Sequence, residues 1–69
     1  MKRQPVTSSN LASVGYDDAA QTLEVEFLDG SIYQYFGVPS AAHSALLGAE
    51  SVGSYFSRNI ENNYRYARL

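Results

Sequence analysis

Between Thr22 and Leu28, Leu23, Val25 and Phe27 alternate with Glu24 and Glu26. A period of two is that of a half-buried strand, one face toward a core and the other toward water. Leu11 to Asp17 predicts an earlier strand, with Val14 and Tyr16 on one face. The polar stretch Asp17-Asp18-Ala19-Ala20-Gln21 turns the chain between the two. Asp29-Gly30 then leads into a third strand, Ser31 to Gly37, in which Tyr33 and Tyr35 project from the same face. These three elements predict an antiparallel meander.

The Asp-Gly turn allows two registers. A two-residue type I′ loop pairs Leu28 with Ser31 and sends Ile32 and Phe36 to the face of Val25. A three-residue loop, Leu28-Asp29-Gly30 with Gly30 left-handed, pairs Phe27 with Ser31. Tyr33 then stands beside Val25 and Tyr35 beside Leu23. One residue of slip exchanges the faces of every side chain. The second register is favoured because it keeps Gln34 out of the core, although it leaves Ile32 and Phe36 on the polar side.

After the third strand the period changes. Pro39 suits the start of a helix over Ser40–Leu47, ended near Gly48. Ser51 is a candidate N-cap for a second helix. Val52, Phe56 and Ile60 form its apolar stripe, with Tyr55 alongside, and Asn62-Asn63 is expected to end it. Tyr64 to Leu69 reads as a tail or a short extra strand. The predicted fold class is α+β: a three-stranded antiparallel meander followed by two short helices packed on one face. Residues 1–6 are expected to form a flexible arm, and 7–69 a single domain.

With 69 residues there is room for one small core. There is no Cys and one His, so neither disulfides nor a zinc site can stabilise it, and six Tyr and three Phe must supply the buried area. The N-terminus lacks the apolar segment of a signal peptide, and no apolar run could span a bilayer. A cytoplasmic location is expected. The formal charge is −2, so bulk attraction to nucleic acid is absent. The distribution is uneven: Lys2, Arg3, Arg58, Arg65 and Arg68 lie toward the ends, with no Lys or Arg from Val6 to Ser57. If the termini meet, five cations make one patch; otherwise they are solvated terminal charges.

The order Ser8-Ser9, Val14-Gly15-Tyr16-Asp17, Leu23-x-Val25-x-Phe27, Gly30, Tyr33-x-Tyr35, Val38-Pro39, Ala49-x-Ser51-x-Gly53-x-Tyr55-Phe56 and Ile60 resembles the KTSC domain. That short module is named from the C-terminal extension of some lysyl-tRNA synthetases, and Tyr-x-Tyr is its hallmark. The resemblance covers residues 7–66. It implies a stand-alone bacterial or phage version of the module and no established activity, and the synthetase context suggests RNA.

No catalytic constellation is visible. His43 has Ser40 and Ser44 nearby, but neither spacing aligns a nucleophile with a base. Asp17-Asp18 reads as turn chemistry rather than a cation site, and no Gly-rich phosphate loop is present. Two clusters remain as a nucleic-acid surface. Tyr33 and Tyr35 can stack unpaired bases, or fill the core with their hydroxyls at its rim. Arg58, Arg65 and Arg68, interleaved with Tyr64 and Tyr66, offer charge for phosphate and rings for bases. The Glu24/Glu26 face would repel a phosphate backbone. The expected function is a non-enzymatic accessory binding module, without metal, cofactor or membrane, whose partner is RNA. The alternative is a protein-interaction or homo-oligomerisation module without nucleic acid.

Overall fold

The computed structural model describes all residues from Met1 to Leu69. The elements are β1 (Arg3–Pro5), β2 (Leu11–Asp17), β3 (Thr22–Phe27), β4 (Ile32–Phe36), α1 (Ser40–Leu47), α2 (Val52–Asn59) and β5 (Arg65–Arg68). The five strands form one antiparallel sheet in the order β1-β2-β3-β4-β5, with both helices inserted before β5.

The expected meander is present, and two short edge strands extend it to five. Arg3–Pro5, expected in a flexible arm, pairs with β2. Arg65–Arg68 takes the extra-strand alternative and pairs with β4. Neither carries an alternating apolar pattern, because each lies on a sheet edge with little to bury.

The β3–β4 turn adopts the three-residue register. Val25 lies opposite Tyr33, Leu23 opposite Tyr35 and Glu24 opposite Gln34. Gly30 has φ +90°, and its N–H bonds the Phe27 carbonyl. A left-handed residue is needed there, which glycine supplies without steric cost.

The sheet has one covered face. Leu11, Val14, Leu23, Val25 and Tyr35 meet Val38, Leu46 of α1, and Phe56 and Ile60 of α2, all buried. Ser51 caps α2 by accepting from the Ser54 N–H. The helix stops at Asn59, earlier than the Asn62-Asn63 expected, with buried Ile60 as its C-cap. Pro39 sits at the N-cap of α1 with extended ψ of 155°, one residue before the first helical position.

The uncovered face carries a polar network. Glu24 is nearly buried there, bonded to the Arg3 guanidinium and the Gln34 amide. Ser13 joins in, accepting from Arg3 Nε and donating to Glu26. Arg3 is thereby committed to structure. Because β1 and β5 are opposite edges, the terminal cations are divided and no single basic patch forms.

Candidate functional site

Strand pairing brings β5 onto the tyrosine motif. Tyr66 lies opposite Tyr35, and Arg68 opposite Tyr33. Directly opposed residues of an antiparallel pair share a face, so all four stand on the helix side of the sheet. Tyr66 lies 5.8 Å from Tyr33 and 5.7 Å from Tyr35, centroid to centroid. The Tyr33 and Tyr35 rings are 6.5 Å apart and nearly parallel at 25°. The Arg68 guanidinium carbon stands 5.8 Å from the Tyr33 centroid, within cation–π range.

The three tyrosines differ in burial, so the alternatives of core and surface are both realised. The Tyr35 ring is core, 3% exposed and edge-on to Phe56 at 5.3 Å. Tyr33 is half-buried and edge-on to Phe27. Tyr66 is 60% exposed. The result is an aromatic surface anchored in the core at one end and open to solvent at the other.

A cleft of about 410 Å³ opens beside these rings. Besides the three tyrosines it is lined by Phe27, by Asp29 and Ser31 of the β3–β4 turn, and by Glu61 and Asn62 after α2. Asp29 Oδ1 accepts from both the backbone N–H and the hydroxyl of Ser31. Those two bonds, with Arg68 nearby, hold the Asp29 carboxyl below its ordinary range. Burial, then the charge of Glu61 and the neighbouring phenols, push the Tyr35 hydroxyl up to about 12. Tyr35 is therefore a neutral donor throughout the physiological range.

The cleft gathers only part of the residues selected from sequence. Tyr33, Tyr35, Tyr66 and Arg68 come together. Arg65 pairs with Phe36, and alternation along β5 sends it to the opposite face from Tyr66 and Arg68. Arg58 lies exposed in the last turn of α2, where it favours the helix dipole. Tyr64 packs against the core instead of lining the cleft. Phe27, Asp29, Ser31, Glu61 and Asn62 line it from outside the sequence-predicted set. Asp29 and Asn62 read locally as turn and helix-stop residues, and no local signal places either beside Tyr35.

A second cleft of about 330 Å³ is lined by Lys2, by residues of β1 and β2 that include Tyr16, and by His43 of α1. The His43 ring stacks on Tyr16, 4.5 Å between centroids and 11° between planes, and the Tyr16 hydroxyl donates to the Val38 carbonyl at 2.6 Å. Burial lowers the His43 pKa and favours the neutral ring. The histidine is packed as a stacking partner of the α1–sheet contact.

Three comparisons fit this architecture. The family model of the KTSC domain matches residues 7–64. A crystal structure of a KTSC domain protein from Yersinia pestis superposes with a TM-score of 0.93 at 39% identity, covering 99% of this chain and 96% of that one. A protein of unassigned function from Stutzerimonas stutzeri is 46% identical over 70 residues, spanning 100% of this chain and 99% of its own. A lysine–tRNA ligase of Trichormus variabilis is 41% identical over 54 residues; these cover 78% of this chain and 10% of the ligase. By family model, backbone and sequence together, the chain belongs to the KTSC domain family.

Proposed function

We propose that the chain is a non-enzymatic accessory binding module of the cytoplasm that takes single-stranded RNA at the Tyr33–Tyr35–Tyr66 cleft. The observation that carries this reading is the convergence of three tyrosines on one cleft beside Arg68. Aromatic rings at a surface stack unpaired bases, and an adjacent arginine pairs with phosphate. A segment similar to this chain occurs within lysine–tRNA ligases, enzymes that act on an RNA. The acids at the cleft disfavour phosphate directly over it, so the backbone runs along the β5 edge, past Arg68.

The test is a titration with single-stranded RNA at two salt concentrations. Binding is weak and weakens with salt, because released counterions drive it. Arg68→Gln lowers the affinity for all sequences alike and reduces the log–log salt slope by about 0.7, the share of one phosphate contact. A folded wild type that shows no salt-sensitive binding at low ionic strength rejects the reading.

One observation favours a second reading, self-association. Phe36 and Leu69 are 40% and 67% exposed at the β4–β5 edge, where the Leu69 N–H bonds the Ile32 carbonyl. A solution-mass measurement across concentration distinguishes it: a dimer that dissociates on Phe36→Ser supports this second reading.

A further inference from the structure

We propose that the cleft reads guanine: Tyr66 stacks the base with Tyr33 beside it, the Tyr35 hydroxyl donates to O6, and the Glu61 carboxylate accepts from N1–H and N2–H₂. This rests on the RNA-binding reading and adds base identity to it.

The cleft floor holds an unpartnered group. Tyr35 is 3% exposed, yet its hydroxyl makes no hydrogen bond within the chain. It is also not sealed, since no buried side-chain polar atom in the molecule lacks a partner. The phenol oxygen therefore emerges into the cleft that Tyr35 lines. A hydroxyl on so buried a ring cannot swing away to bulk water. It offers a fixed donor at the cleft floor, and its high pKa keeps the proton in place.

The second element is Glu61, which lines the same cleft close enough to act on the Tyr35 phenol. A carboxylate is an acceptor only. Beside stacking rings in a nucleic-acid site it repels phosphate, so its favourable partners are base N–H groups. Tyr35 and Glu61 together present one donor and two acceptor oxygens. Guanine is the base whose pairing edge runs acceptor, donor, donor. Uracil flanks its single donor with two acceptors. Adenine and cytosine set a ring-nitrogen acceptor beside one amino group, so only one carboxylate oxygen can be satisfied. Tyr66, the exposed ring, supplies the stacking surface for the purine, and Tyr33, tilted 47° to it at 5.8 Å, closes the side of the cleft. The cleft volume is within the range that holds a small ligand.

The experiment titrates the intact chain with uridine oligomers carrying one central guanine, inosine, adenine or cytosine, beside the all-uridine oligomer. The base of inosine is guanine without the 2-amino group, so it isolates one of the two donors that Glu61 would take. The guanine oligomer is expected to bind about tenfold more tightly than the inosine oligomer, the discrimination of a bidentate contact. Glu61→Gln abolishes that preference, read as the ratio of guanine to inosine affinity within the variant, while loss of the negative charge raises the affinity for every oligomer alike. Tyr35→Phe weakens the guanine and inosine oligomers alike relative to the adenine oligomer, because both bases carry O6; should it fail to fold, the Glu61→Gln result decides, since Glu61 is exposed and outside the core. Equal binding of all oligomers overturns the guanine assignment and leaves RNA binding standing. A guanine preference that survives Glu61→Gln overturns it as well. So does tighter binding of a lysine- or arginine-rich peptide at Glu61 and Tyr66, because the carboxylates would then serve a cation. Absence of binding to every oligomer at low salt removes both proposals.

Discussion

Gly53 shows how a single position can invert a general preference. It lies inside α2, where alanine would ordinarily be better than glycine by up to about 1 kcal/mol. A β-carbon here would sit 2.8 Å from Ser8 Oγ and closer still to Asn10 Oδ1. Those atoms are held: Ser8 Oγ donates to Asn10 and accepts from the Asn10 and Leu11 N–H groups. Gly53→Ala is therefore expected to destabilise by about 1–3 kcal/mol, the usual cost of overpacking. Urea melts check the value, and Asn10→Ala in the same chain should recover part of the loss. A melt unchanged or raised by Gly53→Ala alone would show that the Ser8–Asn10 turn yields freely.

At the scale of elements, α2 and β1 carry contrasting risks. Phe56 is fully buried, with its ring edge-on to Tyr35 and near Phe27 at 5.7 Å. Phe56→Ala should cost about 3–5 kcal/mol, a large fraction of what so small a domain has. It should also loosen the cleft floor, because Tyr35 loses its ring partner. A wild-type melting curve for this variant would contradict the packing of α2. In β1 the contribution is electrostatic. Burial alone would raise the Glu24 pKa, but the Gln34 hydrogen bond and the hydrogen bond and charge of Arg3 bring it below its usual value. The native state thus favours the ionised form. The stabilisation is complete above the unfolded carboxyl range near about pH 4 and is lost as pH falls through the folded value. Arg3→Gln is expected to destabilise by about 1–3 kcal/mol at neutral pH, by weakening the pairing of a nearly buried carboxylate. It should also move the onset of acid unfolding to higher pH. Urea midpoints measured across the acid range test both effects; coincident profiles for variant and wild type would return residues 1–6 to the status of a loose arm.

For the whole molecule the decisive quantity is how five cations are distributed, not their number. The chain is net negative, and β1 and β5 lie at opposite edges of the sheet. A nucleic-acid strand at the tyrosine cleft meets Arg68, with Arg65 on the other face of the same edge strand, but not Lys2. Lys2→Gln should therefore leave RNA affinity and its salt slope unchanged, whereas Arg65→Gln with Arg68→Gln should weaken binding to every sequence. Parallel titrations at low salt test this; equal losses from the two ends would place the RNA across the other face of the sheet. No helix is long and apolar enough to cross a membrane.

The elements legible in the sequence are those with a strong periodic demand. Leu23, Val25 and Phe27 alternate because β3 is central and has one covered face. Val52, Phe56 and Ile60 recur at helical spacing because α2 covers that face. The turn register was legible through one side chain, Gln34, whose amide would be costly in the core. The edge strands were not, since Arg3–Pro5 and Arg65–Arg68 bury too little to leave a pattern, and only their neighbours define them as strands. The same limit applies to the cleft. Tyr33 and Tyr35 form a pair by local alternation alone. Their meeting with Tyr66 and Arg68 comes from β5 pairing with β4 across two intervening helices, and the approach of Glu61 from where α2 ends. Arg65 and Arg68 are near neighbours in the chain but are separated by the pleat of β5. Periodicity encodes which face a residue shares with its near neighbours; contacts between distant segments depend on chain reversals that no local pattern records.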